Sequence, residues 1–177
     1  FLSAQETGLY AATATIGRTV LFVTSSLGIV MFPKVAALHE RGERIVGVLL
    51  QGLLGALVLS AAVEVVLFAA PSIVVRILFG PAFAAIAPLV GWYGLAMLLL
   101  AVAGILTAYF LAVGNRTFVL LLLFCCVLQA TLIVVRHSTA SQLVQAVLAA
   151  NAMLVILLLI MLAVQMRRVR EPAVARR

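Results

Sequence analysis

Phe118-Val119-Leu120-Leu121-Leu122-Leu123-Phe124-Cys125-Cys126-Val127-Leu128-Gln129-Ala130-Thr131-Leu132-Ile133-Val134-Val135 carries no charge and a single amide. It approaches the roughly 20 apolar residues that cross a bilayer core at ~1.5 Å rise per residue. Four more runs of the same kind accompany it, at 11–32, 45–70, 84–113 and 142–165. The fold expected is an all-α integral membrane protein with five transmembrane helices. Residues 1–166 would form the helix bundle and 167–177 a basic, disordered cytoplasmic tail.

Composition gives the same answer. The chain is 66% hydrophobic and 10% charged, against about 45–50% and about 25% for soluble domains. A basic balance of +7 would suggest nucleic acid on a soluble domain, but no such domain is present to carry the patch. The lipid bilayer is the expected partner, and nucleic acid is not. Cys125 and Cys126 are adjacent and lie inside an apolar run. Adjacent cysteines rarely bridge, and thiols in lipid behave as small hydrophobes, so they carry no message about redox compartment.

The segments between the runs are informative. Pro33 is expected to kink or end the first helix. His39-Glu40-Arg41-Gly42-Glu43-Arg44 is a short polar loop. Pro71-Ser72-Ile73-Val74-Val75-Arg76-Ile77-Leu78-Phe79-Gly80-Pro81 is too short to span a membrane. Proline suits a helix's first turn and Gly80-Pro81 stops it, so the segment reads as a short interfacial helix with Arg76 snorkelling to the headgroups. Trp92-Tyr93 and Tyr109 fit the two aromatic belts. Gly114-Asn115-Arg116-Thr117 is a tight turn, and Arg136-His137-Ser138-Thr139 is the next loop.

Alternate loops differ in charge. One side holds Lys34, Arg41, Arg44, Arg116 and the five tail arginines; the other holds only Arg76 and Arg136. Lysine and arginine accumulate on the cytoplasmic side, which places the C-terminus inside and the start of the chain outside, in a plasma membrane. The sequence opens on Phe1, and its first residues lack the basic region of a signal peptide. It is read as part of a longer protein with an upstream helix that runs outward.

Two charges fall inside the spans, Arg18 and Glu64. Each costs about 2.5–3.5 kcal/mol on insertion scales and normally faces protein or a wet cavity. Counting from the outer ends of their helices, both lie about 10 Å deep at 1.5 Å per residue. One reading is a structural ion pair between the first two helices. The other is that Arg18 faces a cavity and attracts an anionic group of a substrate; snorkelling to the outer headgroups is a third. Gln129, Gln145 and Asn151 lie in the same outer half. Such amides bond between helices or touch substrate, so Gln129 and Asn151 join Arg18 and Glu64 as cavity candidates.

Catalytic signatures are missing. There is no Asp, no CxxC, no HExxH and no glycine-rich phosphate loop. His39 and His137 are loop residues without partners for a metal site. Neither an enzyme, a cofactor nor a metal is expected.

Glu6-Thr7-Gly8-Leu9-Tyr10-Ala11-Ala12 resembles the loop-to-helix entry of polysaccharide flippases in the multidrug/oligosaccharidyl-lipid/polysaccharide (MOP) exporter superfamily. Phe32-Pro33-Lys34-Val35-Ala36-Ala37-Leu38 resembles that family's end-of-helix proline before a polar cytoplasmic loop. The stretch 71–83 resembles its P…LFG…(Y/F) segment, and Tyr109-Phe110-Leu111-Ala112-Val113-Gly114 the end of the following helix. The likeness covers about Phe1 to Thr117 and fades beyond. It implies one lobe, helices eight to twelve, of a two-lobe MOP/MATE-like transporter whose partner is the missing N-terminal lobe of the same protein. The implied activity is flipping or export of a lipid-linked oligosaccharide in a bacterial inner membrane, with Arg18 meeting the substrate's pyrophosphate. Alternatives are a drug/cation antiporter or peptidoglycan-precursor flippase of the same superfamily. From other classes, the alternatives are a non-transporting scaffold subunit and a membrane glycan-processing enzyme.

Overall fold

α4, Ala87–Ala112, is the centre of the structure because its small residues let other helices close on it from several sides. Gly91, Gly94, Ala96, Ala101 and Ala103 are all buried. Around it lie α1 (Ala4–Glu40), α2 (Val46–Ala69), α3 (Pro71–Phe79), α5 (Thr117–Val135) and α6 (Ala140–Val174), with a 3-10 helix at Pro81–Ile86. The computed structural model describes residues 3–41 and 46–174, excepting the side chains of 25–28, 30–32, 39 and 167–174. Among the described residues there is no strand. Gly42, Glu43 and Arg44 of the expected loop, and the last three tail residues, lie outside them.

Among the described residues, four helical segments are long and apolar enough to cross a membrane: Val46–Ala69, Pro81–Ala112, Thr117–Val135 and Ala140–Met166. They match the expected spans to within a few residues. The remaining expected span, 11–32, lies in α1 and includes 25–28 and 30–32, whose side chains are outside those described.

Two apolar clusters fill the bundle. One joins Ile16 and Val20 of α1, Val90 and Met97 of α4, and Val144 and Val147 of α6. The other joins Val35, Leu49, Leu106, Phe110 and Leu158 nearer the opposite end. α5 rests mainly on α6 and buries only Phe118 and Cys125. Contacts fix which helix ends lie together. Tyr10 meets Tyr93 edge-to-face at 5.9 Å and Phe68 meets Trp92 at 5.8 Å. At the other end, Asn115 donates to Gln165 Oε1 at 3.0 Å.

Two expectations need correction. Pro33 neither ends nor divides α1, which continues to Glu40. A proline removes one helical hydrogen bond, but Val35, just beyond it, is buried against the second cluster and holds the last turns in place. The helix does not stop at the end of the apolar run: α6 continues to Val174. The run Met166-Arg167-Arg168-Val169-Arg170 contains no helix breaker, so nothing halts the helix where the apolar stretch stops.

The short segment follows its sequence. Pro71 occupies the first turn of α3, Val75 is fully buried and Arg76 is exposed. Gly80 has φ 84 and ψ 175, a backbone region essentially restricted to glycine. That residue turns the chain from α3 into the 3-10 helix and on into α4.

Candidate functional site

A close helix crossing forms around Gly94. A Cβ on Gly17 of α1 would lie 2.5 Å from Tyr93 Cδ1 and 3.1 Å from the Gly94 nitrogen. A Cβ on Gly94 would meet Glu64 Oε1, and would come within 2.9 Å of Leu67 Cδ1. Gly94 therefore receives α1 on one side and the Glu64 carboxyl of α2 on the other. The residue beside Arg18 and the side chain of Glu64 reach the same residue of α4, so the two charged positions lie at one level of the bundle.

The ion pair does not form. Arg18 is exposed, turned away from the bundle. Glu64 is 7% exposed, and neither of its carboxyl oxygens has a hydrogen-bond partner. The glycine that brings the helices together points the two residues in different directions: Gly17 takes the inward position on α1, and Arg18, about 100° further round the helix, cannot share it.

Arg18 belongs instead to an exposed stripe on α1 with Ala11, Thr15, Thr19 and Phe22, spaced at helical intervals. Thr15 returns its hydroxyl proton to the Ala11 carbonyl at 2.8 Å, as Thr13 does to Leu9 at 2.9 Å. Such back-bonding satisfies hydroxyls in an apolar setting. Arg18 carries the one charge among the described residues of this stripe.

Asn151 is committed elsewhere. It is buried, and its amide donates to the Ala96 carbonyl at 2.8 Å, joining α6 to α4. Gln129 is half-buried on α5. Gln145 is exposed and lines a groove of roughly 350 Å³ between α4 and α6, with Pro88, Trp92, Ser141 and Leu148. The four named candidates thus do not converge on one cavity. Only Glu64 and the neighbour of Arg18 share a contact.

Glu6 was not singled out as a site residue, yet it joins two distant helices. Ala140 N–H, at the start of α6, donates to Glu6 Oε2 at 2.8 Å. A carboxylate there satisfies an orphan donor and complements the positive end of the helix. The hint in the sequence was an acid on a mostly apolar chain, but nothing in its spacing names residue 140. Ser60 was also missed. It lies one turn before Glu64 on the same buried face, and its hydroxyl has no partner.

Among the described residues, no group of three or more His, Cys, Asp or Glu is placed to hold a metal ion. The His137 ring bonds the Val134 carbonyl at 2.6 Å, and Cys125 and Cys126 are free thiols. No family model, curated protein or solved structure matches the chain.

Proposed function

We propose that the chain is the C-terminal lobe of a bacterial inner-membrane transporter that flips lipid-linked oligosaccharide for polysaccharide biosynthesis, acting with an N-terminal lobe of the same protein. The observation that carries this reading is the outward stripe of α1. Arg18, in the stretch that the sequence reads as the first span, is exposed on a face that no other described part of the bundle covers. A charge in that setting requires a wet cavity or a polar partner. A cavity between two lobes supplies the first, and a pyrophosphate entering it supplies the second. The ordered likeness of residues 1–117 to polysaccharide flippases supports the same reading. So does the all-helical membrane bundle, because alternating access works by rocking one such bundle against another.

The test is genetic complementation. The full-length gene should restore surface polysaccharide to a bacterium lacking its own flippase. The Arg18→Ala version should insert normally and restore little or none. Membrane insertion of the wild-type protein without any restoration would point to a scaffold subunit and end the transporter reading.

A further inference from the structure

The buried face of α2 carries Leu49, Gly52, Ala56, Ser60, Glu64 and Leu67 at helical spacing. Two of these are polar, and together they present three sealed oxygen atoms with no hydrogen-bond partner. Glu64 reaches Gly94 of α4 because glycine leaves room that any side chain would fill. The titratable and charged groups on the elements packed against α2 include Tyr10 and Arg18 on α1, Tyr93 on α4 and Arg76 on α3. None of them bonds the carboxyl. An ionised carboxylate sealed in this way costs several kcal/mol, whereas a carboxylic acid carries no charge and pays only the smaller cost of burying a neutral polar group. The packed arrangement suits the acid and not its anion.

We propose that Glu64, on the same buried face as Ser60, is a buried proton-binding site that governs the contact between α2 and α4. With the proton bound, the Glu64 side chain lies against Gly94 and the helices stay packed. When the contact opens, water reaches the carboxyl. The O–H bond then breaks, its electron pair stays on the carboxylate oxygen, and the proton passes to water. The packed form is therefore stable at low pH and is lost as pH rises. The site does not depend on what the protein carries, so it stands apart from the transport reading.

The experiment is a distance measurement on the full-length protein in lipid vesicles. Spin labels are placed at exposed Ala69 and Pro88, at the shared end of α2 and α4, after Cys125 and Cys126 are replaced by alanine. The wild-type distance should lengthen as pH is raised, and Glu64→Gln should hold the short distance at every pH. Infrared spectra of the wild type should show a carboxylic-acid band at low pH that disappears over the same range, so the test survives even if the variant fails to fold. A wild-type distance and infrared spectrum that ignore pH would overturn the proposal. So would a Glu64→Gln protein that follows the wild-type curve, or a distance set by sodium concentration at fixed pH, which would assign the site to a metal cation.

Discussion

Gly17, Gly91 and Gly94 all lie in helix contacts, but their neighbours differ in how far they can yield. A methyl on Gly17 meets the Tyr93 ring and the α4 backbone, which cannot move without shifting the helix. A methyl on Gly91 meets the Phe68 ring first, at 2.8 Å, and Phe68 is half-exposed and able to swing away. Gly17→Ala should therefore cost about 1–3 kcal/mol, in the range of overpacked cores, and Gly91→Ala clearly less. Thermal unfolding in detergent separates the two; equal midpoints would show that α1 and α4 are not packed as described. Asn151→Leu should cost about 0.6–2 kcal/mol, the range of interhelical hydrogen bonds in membranes. The same unfolding experiment reads it, and no change would mean that the bond to Ala96 contributes nothing. At this scale the sequence was legible in type and not in direction. That Arg18 and Glu64 share a depth follows from counting residues, but which way each side chain turns depends on where glycine lets helices meet. Only the folded chain shows that.

α3 and the turn after it were the most legible elements, because proline and glycine act through their own backbones. Pro71 fixes a first turn and Gly80 supplies the φ of 84 that the next step requires. Gly80→Ala should cost about 1–3 kcal/mol, as residues forced into such conformations do, and should misdirect α4. Loss of α4–α6 cross-linking between cysteines placed at Trp92 and Gln145 reports that misdirection; unchanged cross-linking would show that the turn tolerates a side chain. Pro33 was misleading for the converse reason. A proline's local penalty is fixed, but the burial of Val35 two residues on outweighs it, and burial is a property of the assembled helices. The length of α6 was hidden in the same way, since a basic run marks where the membrane ends and not where the helix ends.

Across the whole molecule, the two ends of the bundle differ in charge. Arg76 and Arg136 mark one end; Lys34, Arg41 and Arg116 mark the other. Glu6 bonded to Ala140, and Asn115 bonded to Gln165, place the helix ends in the alternation that the loops imply. If basic residues face the cytoplasm, a cysteine at Ser138 is labelled by an impermeant reagent added outside cells, and one at Asn115 only after the cells are opened. The reverse pattern would invert the orientation. The bundle was legible from the apolar runs because lipid demands length and hydrophobicity of every span. The site was not, because nothing in the spacing says which face of α1 the bundle leaves uncovered. The central claim is that Arg18 serves a transported anion from that face. Flipping of a fluorescent lipid-linked oligosaccharide by the full-length protein in vesicles tests it most directly. The account predicts flipping by the wild type and at least a tenfold slower rate for Arg18→Ala at equal incorporation, the loss of about 1.4 kcal/mol or more of favourable interaction. Equal rates for the two proteins, or no flipping by either, would contradict it.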